Sequence, residues 1–188
     1  MVFAHDTEVA LIAAAALVNT VGRGGEQLPD VAALDAFLRA YDWTGRREGS
    51  RAELRDVQRL RPRLRRLWEA GEVEVVGIVN ALLRESHALP QLVRHGDWPY
   101  HLHATPQDAP LATRMAVEAA MAFVDVVRDR QLDRLRLCDA ADCDGVVVDL
   151  TRNRSKRFCD TGCGNRAAVS AYRARKAAAA RERRTSIA

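Results

Sequence analysis

The chain has 188 residues, 48% apolar and 29% charged, with a net charge of +4. That is enough apolar material for one medium domain, or a domain plus a small module, and it excludes a disordered chain. No apolar run reaches the roughly 20 residues of a membrane span, and the opening MVFAHDTE lacks a basic signal region, so the chain reads as cytoplasmic, membrane-free and with reduced cysteines.

In chain order, MVFAHD is expected to form a short strand, and residues 8–21 an Ala/Leu/Val-rich helix ended by GRGG at 22–25. Asp30 is placed to N-cap a second helix whose apolar stripe is Val31, Leu34, Phe37 and Leu38. TGRREGS is a loop, and Ser50 with Glu53 has the form of a capping box. Leu54, Val57, Leu60, Leu64 and Leu67 continue a helical period. Pro62 is expected to kink or split that helix, because it has no N–H and its ring crowds the preceding turn. EVEVVGIVNALLRES reads as a helix and WPYHLHAT (98–105) as a strand. From Pro110 a long helix is expected to run straight toward Cys138.

The arginines at 51, 55, 59, 61, 63, 65 and 66 surround the apolar stripe. A solvated face is the favoured reading, with an anion site as the competitor. His101 and His103 share one face of a strand, but no third metal ligand is evident. Asn19 and Asn80 sit in apolar helical stretches, where a buried amide needs either backbone or a ligand to satisfy it. With Thr20 and Arg55 they define a candidate ligand pocket.

All four cysteines fall within 26 residues, as Cys138-x4-Cys143-x15-Cys159-x3-Cys163. Two close pairs at this separation suit one tetrahedral zinc. Scattered core cysteines, a redox pair and an iron–sulfur cluster fit the spacing less well. GVVVDL and RFC are expected to pair as a hairpin that brings the two knuckles together, with a helix beginning near Cys163. Four protein ligands leave no position for water, so the site is structural. Residues 151–184 carry eleven Lys/Arg against two acidic residues, a local charge of +9 that leaves −5 for the rest. Arg152, Arg154, Lys156 and Arg157 cluster in the expected turn. On the helix, Ala167, Ala168, Ala171 and Ala174 form a small-residue stripe suited to packing. Arg166 and Arg173 lie on another side, with Asn165, Arg175 and Lys176 nearby. This basic segment is a candidate surface for nucleic-acid phosphates, and a solvated face that offsets thiolate charge is the alternative.

CGNR at 163–166, after RFCDTG and before AAVSAYRARK, resembles the CGNR zinc finger of a bacterial family described as stress-response transcription regulators. ALVNTVG (16–22) and LRDVQRLRPRLRRL resemble the ABATE domain that precedes the finger in that family. Phe158 stands where the family often has tryptophan. The resemblance implies duplex DNA binding through the finger and a sensing role, for a small-molecule effector or protein partner, in the larger domain. The expected architecture is α+β. Residues 1–134 would form a mostly helical regulatory domain with a few short strands, and 135–188 a treble-clef zinc finger with a basic C-terminal helix. The expected function is a zinc-dependent DNA-binding regulator that is not an enzyme. An RNA- or ribosome-binding finger, or an enzyme or interaction protein that uses the finger for docking, are the alternatives.

Overall fold

The computed structural model describes residues 2–94 and 99–185. The first helix, α1 (His5–Val18), begins earlier than its composition suggests. No strand precedes it among the described residues. The N–H groups of Val2 and Phe3 both donate to Glu8 Oε1, at 2.6 and 3.1 Å, so the donors a strand would need are taken by the helix's own first turn. After α1, β1 (Val21–Gly22) and β2 (Gly25–Glu26) make a minimal antiparallel hairpin, and Gly25 supplies its positive φ of 81°.

The second helix, α2 (Val31–Ala40), is capped by Asp30, whose carboxylate accepts from Ala33 N–H. Ser50 likewise accepts from Glu53 N–H at the start of α3 (Arg51–Glu69). Glu53 does not complete a capping box. Its carboxylate instead takes the N–H groups of Glu48 and Gly49 and the Arg47 side chain, which ties down the preceding loop. α3 is continuous through Pro62, contrary to the expected break. Pro62 lies on the exposed face, and the Gln58 carbonyl that its missing N–H would have bonded accepts Arg61 Nε instead, at 3.3 Å. α4 (Glu72–Glu85) is helical throughout. β3 (Gln91–Val93) pairs with β4 (His101–His103), so the strand expected over 98–105 is present in its central part, while Trp98 lies outside the described residues.

The helix that follows, α5 (Leu111–Arg128), packs against α1, α3 and α4 and is the centre of the core. Phe123 is fully buried and meets Trp68 edge-on, with ring centroids 5.1 Å apart. The helix stops ten residues short of Cys138. Asp129, Arg130 and Gln131 N–H groups close its last turn, and Arg130 adopts φ +55°, which no continuing helix tolerates. A single 3-10 turn (Leu132–Arg134) then leads into β5 (Leu135–Leu137), which pairs antiparallel with β6 (Val146–Val148). Leu135, Val146 and Val148 belong to the same apolar cluster as the helices. The last element, α6 (Thr161–Thr185), has 25 residues and is about 37 Å long. The architecture is α+β: among the described residues, helices with three two-stranded antiparallel sheets. No helix among the described residues is long and apolar enough to cross a membrane.

Candidate metal centre and nucleic-acid interface

The hairpin at the metal centre differs from the one expected. β6 does not pair with RFC. Residues 155–158 have no regular structure, and β6 pairs backward with β5. The first knuckle, Cys138 to Cys143, is therefore the loop of this hairpin. The second arrives along an irregular return whose backbone touches the first at one bond, Asp139 N–H to Arg157 carbonyl at 2.9 Å. Buried Asp149 replaces the missing strand pairing. Its carboxylate accepts from Thr151 N–H, Thr151 Oγ1 and Lys156 N–H at 2.5–2.9 Å, which folds 149–156 into a fixed loop. Burial alone would raise the Asp149 pKa, but these hydrogen bonds hold it below the usual range. Arg134, also buried, clamps the carbonyls of Asp149 and Thr151 from the other side.

The Sγ atoms of Cys138, Cys143, Cys159 and Cys163 all lie within 4.8 Å of one another. Cys143 and Cys159 are 3.6 Å apart, and Cys159 and Cys163 3.5 Å. A tetrahedron of thiolates at ordinary zinc–sulfur bond lengths has edges of about 3.8 Å. The donor set fits zinc in number, type and spacing, and the four thiolates are the ligands of one structural zinc ion, which crosslinks the knuckle to the helix start. The surroundings are built for thiolate. Gly145 N–H points to Cys143 Sγ at 3.3 Å and Cys159 N–H to Cys138 Sγ at 3.4 Å. Gly145 must lack a side chain, since a Cβ there would stand 2.9 Å from Cys159 Sγ. Hydrogen bonds from Ala140 and Cys159 lower the Cys138 pKa against the opposing effect of burial. Burial and the neighbouring thiols push Cys163 up to about 11 and Cys159 higher still. Four thiols this close cannot all ionise without a cation among them.

Cys163 lies in the first turn of α6. Asp160 caps that turn, accepting from Cys163 N–H at 2.6 Å, a bond that holds the Asp160 carboxyl below its usual range. Arg166 donates Nη2 to Cys163 Sγ at 2.9 Å. Beyond Ala167 the helix leaves the body: every residue from Ala168 to Ala178 is exposed. The expected packing of Ala168, Ala171 and Ala174 does not occur. A stripe of methyl groups removes too little apolar area to hold a helix down without a facing element, and β5–β6 turns its apolar face to the helical core instead.

The basic candidates divide accordingly. Arg154 bonds Asp133 and Gln131, and Arg157 bonds Asp139 at 2.7 Å, so both have their charge matched locally. Arg166 sits on the zinc ligand. Arg152, Lys156, Asn165, Arg173, Arg175 and Lys176 are exposed, and those that are charged make no ion pair with the described residues.

The four pocket candidates are not brought together. Asn19 Nδ2 donates to the Val146 carbonyl at 2.9 Å and its Oδ1 accepts Val146 N–H at 2.7 Å, so one amide pairs with the edge of β6 as a neighbouring strand would. Thr20 donates to the Leu17 carbonyl and accepts from Arg61, which is held bidentate by Glu26. Arg61 is the one buried member of the arginine series, while Arg55 is exposed on α3 and Asn80 on α4. Asn19 and Thr20 do line a cleft of about 590 Å³ between α1 and the finger, together with Tyr41, Lys156 and Arg166. His101 and His103 meet Nε2 to Nε2 at 3.0 Å. Among the described residues the cysteines are the only group spaced for a metal.

Residues 12–130 match the family described as ABATE, a putative stress-induced transcription regulator. Residues 134–176 match the CGNR zinc finger. No curated protein matches the chain.

Proposed function

The chain belongs to the ABATE family and carries that family's CGNR zinc finger, and from this premise we propose that it is a DNA-binding regulator and not an enzyme. The observation that carries the reading is α6. It is anchored at one end by Cys163 and Asp160, bare from Ala168 to Ala178, and presents Arg173, Arg175 and Lys176 to solvent. A helix of this width fits a major groove, and zinc fixes its direction relative to the body. Arg152 and Lys156, on the loop held by Asp149, supply a second cationic contact beside its start. Contacts of this kind give affinity through phosphates, and base reading falls to the residues on the inserted face. The helical body takes the sensing role in this proposal. Tyr41 supports it, because its ring lines both the cleft against the finger and a separate cavity in the body.

The test is duplex binding by zinc-loaded protein near physiological salt, with single strands and structured RNA as competitors. If about five phosphates are neutralised, log K falls with log salt at a slope near −4.5. Replacing Arg152 and Lys156 with alanine flattens that slope for every sequence. Binding that survives zinc removal, or a preference for structured RNA over a random duplex pool, overturns the reading.

A further inference from the structure

The separate cavity has a volume of about 540 Å³, within the range of small-molecule sites. It lies between α1, the loop after α2, β4 and α5, on residues that neither the zinc centre nor α6 uses. Most of its wall is apolar, from Ala13, Val117, Met121 and neighbours, and Tyr41 and Trp43 add aromatic rings. The charges are one-sided: Asp6, Asp42, Glu118 and Asp125 line it, with no lysine or arginine. The histidines 5, 101 and 103 complete the polar part of the lining.

The carboxylates are not equivalent. Asp125 accepts Thr7 Oγ1 at 2.6 Å and has Arg128 3.9 Å away. Asp6 faces Leu102 N–H. Glu118 makes no hydrogen bond with the described residues, although it is more than half buried on the central helix. One turn earlier, Arg114 is placed to answer it and does not. Its guanidinium is spent on the carbonyls of Thr44, Arg46 and Ala109, so it attracts Glu118 only through space. A half-buried carboxyl group without a hydrogen-bond donor is costly to the fold. Such a cost is found where a ligand supplies the missing partner.

We propose that this cavity binds a small organic ammonium ion with an apolar or aromatic body, its cationic nitrogen paired with Glu118. The surroundings select this class. An anion would meet four carboxylates and no fixed cation. A wholly apolar ligand would leave Glu118 without a donor. An ammonium meets a carboxylate with aromatic rings in the same wall, which is the environment that cation–π contacts favour. The inference rests on the sensing part of the proposed function and gives it a place and a chemistry. Its test contains no DNA, so its failure and the failure of DNA binding are separate results.

The experiment is calorimetric titration of the full zinc-loaded chain with three probes of one shape: 2-phenylethylamine, 2-phenylacetate and 2-phenylethanol. The amine is expected to bind at one site, and the acid and alcohol at least tenfold more weakly. Glu118→Gln keeps the size of the side chain and should weaken amine binding tenfold or more while the protein melts cooperatively. Met121→Trp fills the cavity with Glu118 in place and should abolish binding as well. Equal affinity for the acid or the alcohol, amine binding undiminished in Glu118→Gln, or no saturable binding of the amine overturns the proposal.

Discussion

β6 and α6 are tied to the same four cysteines, yet Val146, Val147 and Val148 are at most 4% exposed, whereas Val169 and Tyr172 of α6 are 48% and 59% exposed. The first strand is held three ways. Val146 and Val148 join the helical core, Trp68 Nε1 donates to the Val147 carbonyl at 3.0 Å, and Asn19 pairs with Val146. Among its described side chains, the helix is held near its start: Cys163, the Asp160 cap and the Arg166 contact to sulfur. One half of the finger is thus part of the body, and the other is an arm joined to it through the cysteine cluster. In the proposed function, thiolates join a packed surface to one left exposed for DNA.

Metal removal is the strongest way to break this asymmetry. Structural zinc contributes on the order of 10 to 16 kcal/mol of apparent binding free energy in small modules. A chelator should release α6 and the return segment 155–160, while β5, β6 and the helices stay protected in hydrogen exchange. Cys159→Ser should do the same without chelator. Loss of protection in β6 together with α6 would mean that the hairpin, too, depends on zinc. A smaller effect is expected from cutting the body side of the tie. Asn19→Ala leaves the N–H and carbonyl of Val146 without partners, at a cost of about 2 to 3 kcal/mol. That loss should lower the melting temperature of the whole protein and leave zinc affinity nearly unchanged.

Glu118 tests whether the body carries a cost of its own. Burial raises its pKa from 4.5 to about 7, against the pull of Arg114. A carboxyl raised in the folded state costs nothing when both states are protonated, so the penalty is absent below about pH 4.5, grows as pH rises, and is complete above about pH 7. It amounts to about 3 kcal/mol. Glu118→Gln should therefore melt higher than the parent at pH 8 and match it at pH 4.5. Asp6, Asp42, Asp125, Arg114 and the histidines 5, 101 and 103 share the surroundings, so the difference between the two proteins at each pH is the quantity to follow, measured by thermal melts.

What could be read in the sequence follows the range of the interaction. Cysteine spacing is local, and so are the Asp30 and Ser50 caps; all of them stand in the structure. Strand partners are not local. LRL at 135–137 is three residues long, too short to show alternation, and nothing in VVV at 146–148 says whether it pairs backward with 135–137 or forward with RFC. The end of α5 was hidden because Arg130 takes a positive φ that sequence pattern assigns to glycine or asparagine. Asn19 was legible as a group needing partners, but its partner lies 127 residues away. Glu118 was missed although the signal was there: a single acid inside MAVEAAMAF, on the face of a helix that is otherwise apolar.

The smallest effect on stability should come with a clear effect on binding, and this combination is the sharpest test of the arm. Tyr172 and Arg173 are exposed and hold nothing in place. Replacing either with alanine should change unfolding free energy by no more than about 0.5 kcal/mol, because no buried contact is lost and alanine favours helix. Zinc content should be unchanged for the same reason. Arg173→Ala should nonetheless weaken duplex binding and, if it meets one phosphate, reduce the salt slope by about 0.9. If it reads a guanine edge instead, the loss should be about 1 to 3 kcal/mol at one base position, with the slope preserved. Arg166→Ala is the contrast, since its guanidinium rests on Cys163 Sγ. That substitution should raise zinc exchange before it changes any property of the DNA complex. An Arg173→Ala protein that binds duplex as tightly as the parent, with the same salt slope, would take Arg173 out of the contact surface; the same result with Arg173, Arg175 and Lys176 all replaced would leave α6 without a role in it.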